Sequence, residues 1–134
     1  MAGYSGTPLA AKLGLKTDSK IAVLGAPIDY LQIVSPLPEG VKVSRRTSRN
    51  VDLVHVFSTR RVELAERLKS YRTALKPTVA VWVSWPKKAS RVPTDITEDT
   101  VREVALPLGF VDVKVCAVSE VWSGLKLVVR KDLR

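Results

Sequence analysis

The chain is 134 residues long, 46% hydrophobic and 26% charged, with 7 glycines and 8 prolines; this is a globular composition and excludes a disordered or collagen-like chain. A single cysteine, Cys116, and a single histidine, His55, exclude an intramolecular disulfide, a cysteine zinc cluster and a histidine-rich metal site. Lys and Arg outnumber Asp and Glu 22 to 13, a formal charge of +9, which draws phosphates and nucleic acid electrostatically but says nothing about fold.

The length fits one domain spanning residues 1–134. Its start, MAGYSGTPLAAKLGLK, has no apolar run of signal-peptide length, and no later run approaches the roughly 18 apolar residues of a membrane span. A cytosolic protein with no membrane contact is therefore expected. Within that start, PLAAKLGL can form one or two helical turns, and residues 1–19 read as an arm packed on the body. KIAVL, residues 20–24, followed by GAP, fits a buried strand and a turn. Tyr30, Leu31, Val34 and Leu37 then recur at helical spacing, but Pro36 and Pro38 stop that helix early.

VKVSRR, residues 41–46, alternates as a half-exposed strand would, whereas VDLVHVFST, residues 51–59, is dense in β-branched residues and reads as a central strand. The clearest helix covers residues 59–76, where Leu64, Leu68, Tyr71 and Leu75 mark one face and seven charged residues, Arg67 among them, fill the others. Pro77 ends it. TVAVWVSW, residues 78–85, is a further strand, and period two places Trp82 and Trp85 on opposite faces, Trp82 in the core. Asp95 with Glu98 can form a capping box for a helix that faces the core through Val101, Val104 and Leu108 and that Pro107 kinks or ends. VDVKVCAVSEVW and LKLVVRK, separated by Ser123-Gly124, read as a closing hairpin.

Strands alternating with helices predict an α/β fold, a Rossmann-like three-layer sandwich with a mainly parallel sheet and a C-terminal antiparallel hairpin. The carboxyl edge of such a sheet is where ligands bind. Gly25, Ala26, Trp85, Lys87, Lys88, Glu120 and Trp122 fall at that edge. The lysines, fixed by Pro86, form a candidate phosphate or carboxylate clamp, Trp85 and Trp122 candidate stacking walls, and Glu120 a site acid or partner for Lys88. A solvated loop and ordinary packing are the plainer readings of the same residues.

No catalytic constellation is visible. His55 lies in an apolar strand as a core histidine would, Ser58 has no recognisable general base, and Cys116 lies in an apolar run unsuited to a reactive thiolate. Lys42, Arg45, Arg46 and Arg49 could meet nucleic-acid phosphates, giving weak, sequence-indifferent binding, or simply keep an edge strand soluble. The expected partner is an anionic, possibly nucleotide-like, small molecule or a protein, with no metal or cofactor called for. The residues leave the oligomeric state open.

The phrases VLGAP, PLPEGV, WVSWPKKAS, TDITEDTVREV and DVKVCAVSEVWSGLKLVVR, with the N-terminal MAGYSGTPLAAKLG, resemble a family of small actinobacterial proteins of unknown function. The resemblance covers nearly the whole chain and implies no established activity. The order of elements is also similar to a trimmed class I methyltransferase, which implies S-adenosylmethionine as a cofactor. That superfamily needs several glycines after its first strand and an acid at the end of its second. Here the corresponding places hold Gly25 alone and Arg45-Arg46. A reduced methyltransferase is the alternative enzyme reading.

Overall fold

The structure is a computed structural model describing residues 7–134; residues 1–6 of the expected arm lie outside the described residues. Six strands, β1 (Lys20–Leu24), β2 (Lys42–Ser44), β3 (Leu53–Phe57), β4 (Ala80–Pro86), β5 (Phe110–Ala117) and β6 (Trp122–Val129), join in one sheet of order β2-β1-β3-β4-β6-β5. The first four run parallel, and β6 lies antiparallel between β4 and β5. This is the Rossmann-like α/β architecture that the alternation of elements predicts. The carboxyl ends of β1 to β4 share one edge with the turn between β5 and β6, because Pro86 pairs with Trp122.

Both faces are covered, which is why all five residues of β3 are buried. On one face α3 (Arg61–Ala74) and α4 (Glu98–Ala105) place Leu64, Leu68, Tyr71 and Val101 against Val54, Val56, Val83 and Trp85. On the other, α1 (Leu9–Leu13) and α2 (Tyr30–Val34) place Leu13, Tyr30 and Val34 against Ile21, Val23, Phe57 and Trp82. The two tryptophans of β4 thus lie in opposite layers, as a two-residue repeat demands. Trp82 also donates from Nε1 to the carbonyl of Leu13 at 2.9 Å, which ties the arm to the sheet. No helix among the described residues is long and apolar enough to cross a membrane.

Three local expectations are corrected. The hairpin turn is not Ser123-Gly124, which lie inside β6; it precedes Trp122, where Ser119 Oγ accepts from the Val121 and Trp122 N–H groups. Gly124 is a glycine because a Cβ there would stand 3.0 Å from Val118 Cγ2 and 3.3 Å from the Trp82 ring. Asp95 does not cap α4. Thr97 and Thr100 form that capping box, while Asp95 Oδ1 accepts from the Arg61 N–H at 2.7 Å and so caps α3 instead. Finally, β2 is only three residues long: Ser44 Oγ donates to the Arg46 carbonyl and accepts from its N–H, turning the chain out of the sheet.

Trp82→Ala removes a fully buried ring and the hydrogen bond that holds the arm. Urea unfolding is expected to show a loss of roughly 3 to 5 kcal/mol. Lys87→Ala/Lys88→Ala, made where side chains reach solvent, is expected to stay within about 0.5 kcal/mol of the parent.

Candidate functional site

The edge opens where β1 ends. Gly25 turns the chain there with φ of +71°, and a Cβ at this position would lie 2.5 Å from the carbonyl oxygen of Phe57 at the end of β3. No L side chain fits, so the glycine lets the two strand ends approach. Beside this turn lies a cavity of about 700 Å³, bounded by Val23, Leu24, Ala26, Pro27 and Tyr30 on the β1–α2 side and by Val43 and Arg45 from β2 and its exit. A neighbouring cavity of about 190 Å³ is lined by Phe57, Ser58, Thr59, Glu63 and Trp122. Gly25 and Arg67 line both, so the two cavities flank a common seam.

The charge distribution is uneven. Arg45 and Arg67 are the charged side chains of the large cavity, and no carboxylate lines it. The small cavity holds one acid, Glu63, paired at 3.9 Å with the exposed Arg60. Arg67 projects from the second turn of α3, four residues before Tyr71. Burial raises the Tyr71 phenol, and the Arg67 guanidinium beside it pulls the other way.

Behind the cavity wall runs a buried polar chain. The Tyr30 hydroxyl and His55 Nδ1 share a hydrogen bond of 2.9 Å, and His55 Nε2 and Ser84 Oγ share one of 2.7 Å. Burial pulls the His55 pKa down to about 3 and pushes the Tyr30 phenol well above its ordinary range, so both are neutral near pH 7. The same rings extend toward the small cavity: Phe57 stacks on His55 at 4.3 Å between centroids and meets Trp122 edge-on at 5.0 Å. With both nitrogens engaged, His55 is the core residue its apolar strand suggested and offers no base to a ligand. Ser58 Oγ is turned to the Arg60 carbonyl at 3.2 Å. Burial raises the Cys116 thiol despite Lys114 and Lys12 nearby, which keeps it in the weakly nucleophilic protonated form. Among the described residues no group of three or more His, Cys, Asp or Glu side chains could hold a metal ion.

The expected site residues divide. Gly25 and Ala26 line the large cavity and Trp122 the small one. Trp85 is 6% exposed and packed in the α3–α4 layer, which leaves little of its ring for stacking. Lys87 is half-buried, its N–H donating to the Val121 carbonyl at 2.7 Å, and Lys88 is exposed at the start of a 3-10 turn. Neither lysine lines either cavity, although β4 ends between β3 and β6, whose Phe57 and Trp122 line the small one. Glu120, in the exposed hairpin turn, lines neither. Lys42, Arg45, Arg46 and Arg49 are all exposed, but of these Arg45 alone reaches the large cavity. The residue that sequence reasoning passed over is Arg67. It stands one residue before Leu68 and four before Tyr71, beside the apolar stripe of α3 rather than opposite it.

The chain matches no protein-family model and no curated protein. It does resemble solved structures. A SAM-dependent methyltransferase from Aquifex aeolicus superposes with a TM-score of 0.65 at 14% identity, over 91% of this chain and 88% of that one. A tRNA methyltransferase from Bacillus subtilis gives 0.61 at 9% identity, over 97% and 68%. A protein of the NADB-Rossmann superfamily from Streptococcus agalactiae gives 0.56 at 11%, over 94% and 69%. At these identities the likeness shows a methyltransferase-like Rossmann fold and nothing finer.

The Aquifex aeolicus neighbour is SAM-dependent, and the end of β2 in this chain does not fit that cofactor's ribose. A Cβ at Gly25 would meet the Phe57 carbonyl oxygen, so the glycine serves the approach of β1 and β3, while its exposed backbone still lines both cavities. At the end of β2, where ribose hydroxyls would need an acceptor, Arg45 presents only N–H donors, and the large cavity has no carboxylate to replace it.

The buried histidine gives a measurable signature. Its folded pKa, about 3, lies below the unfolded 6.5. The unfolded chain therefore binds the extra proton, and stability that is complete above pH 6.5 is lost as pH falls toward 3. Urea unfolding is expected to show a decline of about 1.4 kcal/mol per pH unit below pH 6.5. His55→Gln is expected to flatten this slope between pH 6.5 and 5. The Asp112 carboxyl, held below its usual value by its hydrogen bond from Arg102, titrates below that window.

Proposed function

We propose that the chain is a cytosolic, non-catalytic binding module for an anionic ligand, seated at the carboxyl edge of the sheet in the paired cavities beside Gly25. The observation that carries the reading is the charge of the large cavity: two guanidinium groups, Arg45 and Arg67, and no carboxylate. Arginine keeps its charge at any physiological pH and presents several N–H donors in a fixed plane, a match for carboxylate or phosphate oxygens. A cavity of about 700 Å³ also lies within the size range of small-molecule sites. The non-catalytic part rests on the engaged nitrogens of His55 and the backbone-bound hydroxyl of Ser58.

The second reading, a reduced methyltransferase, is favoured by the fold likeness to methyltransferases. The donor-only end of β2 opposes it.

A thermal-shift screen with inorganic pyrophosphate, AMP, short carboxylates and S-adenosylmethionine separates the two. At least one anion is expected to raise the melting temperature, since a ligand of the native state alone stabilises it. Arg45→Gln and Arg67→Gln are each expected to lower its affinity about tenfold, the scale of one charge-assisted contact. Micromolar binding of S-adenosylmethionine that survives both substitutions would put the methyltransferase first.

A further inference from the structure

The walls of the large cavity define the ligand further than its charge does. Ile28 is fully exposed at the cavity's mouth, Leu31 is 56% exposed and Val43 40%, and all three line the same space. Large aliphatic side chains left in water around one depression, beside two cations, mark a surface built to be covered by something both apolar and anionic.

The lining groups also discriminate between kinds of anion. Among the described residues Tyr30 is the aromatic residue of this cavity, and its ring is 5% exposed, packed in T-shaped contacts with His55 and Phe57, with its hydroxyl bonded to His55. Among the described residues of the large cavity a nucleobase would find no exposed ring face to stack on; Trp122 lines the small cavity instead. Among the described residues Tyr30 and the two arginines are the polar side chains of this space, and none of them offers a free acceptor to ribose hydroxyls or base edges. An aliphatic chain needs only surface removed from water, and Ile28, Leu31 and Val43 supply it.

Resting on the anion-binding reading, we propose that the ligand is a single-chain aliphatic anion. Its carboxylate or phosphate head meets Arg45 and Arg67, and its chain lies over Ile28, Leu31 and Val43.

Isothermal titration of the whole chain with hexanoate, octanoate, decanoate, decyl phosphate, decyltrimethylammonium, pyrophosphate and AMP tests this, with the amphiphiles kept below their micelle concentrations. Affinity for the carboxylates is expected to rise about two- to fourfold per added methylene. Ile28→Gln/Leu31→Gln changes exposed side chains and is expected to lower decanoate affinity at least tenfold more than pyrophosphate affinity. Arg45→Gln is expected to weaken every anion, and decyltrimethylammonium is expected not to bind. AMP or pyrophosphate binding more tightly than decanoate, with dependence on Arg45, overturns the aliphatic ligand while leaving the anion site standing. The absence of binding by every anion overturns both. Equal binding of decanoate and decyltrimethylammonium overturns the proposal because the head would go unread. Sedimentation showing a dimer that Ile28→Gln/Leu31→Gln dissociates also overturns it, by assigning the groove to a second copy of the chain.

Discussion

His55 stands in the middle of a strand sealed on both faces, and that one placement organises the rest of the edge. An imidazole taken out of water must keep both nitrogens bonded, since each unsatisfied polar group costs on the order of 1 to 3 kcal/mol. One partner comes from α2, the Tyr30 hydroxyl, and the other from the neighbouring strand, Ser84 on β4. The Tyr30 bond therefore fixes a five-residue helix that has little cohesion of its own against the centre of the sheet, and the Ser84 bond ties β3 to β4. Because α2 carries Tyr30 and Leu31 into the cavity wall, a requirement of the core sets the shape of the site.

A similar coupling governs the turn after β1. A glycine after a strand lets another atom come close to the backbone. Here the approaching atom is the chain's own Phe57 carbonyl. The close contact draws β1 and β3 together at their carboxyl ends, and Phe57 then continues the ring contacts from Tyr30 to Trp122. The large and small cavities are thus two sides of one packed seam, with Arg67 reaching over it from α3.

What the sequence made legible follows the range of the forces involved. KIAVL reads as the strand Lys20–Leu24 to the residue, because an apolar run bounded by a turn is local information. The steps of α3 and the opposite faces of Trp82 and Trp85 are periodic and were equally visible. The hairpin turn was misplaced because Ser-Gly is a strong turn signal, and the glycine inside β6 is explained by Val118 across the hairpin and by the Trp82 ring, more than forty residues away by sequence. Asp95 misled for the same reason: a carboxylate before a helix reads as its cap, yet the N-terminus it caps belongs to a different helix.

The candidate site shows the same limit more sharply. Lys87 and Lys88 drew attention by being adjacent cations after a strand, but strand order, which a linear reading supplies only in outline, puts them beside the hairpin. Arg45 and Arg67, twenty-two positions apart, are adjacent in no local pattern and meet only because β2 lies at the outer edge of the sheet while α3 reaches over the end of β1. The core that holds them needs neither charge: its two layers are closed by Trp82, Phe57 and the leucines of α3, none of which depends on what the edge binds. A fold secured in this way leaves the residues at its carboxyl edge free to differ without cost to the core, so the methyltransferase-like frame by itself does not decide what the edge binds.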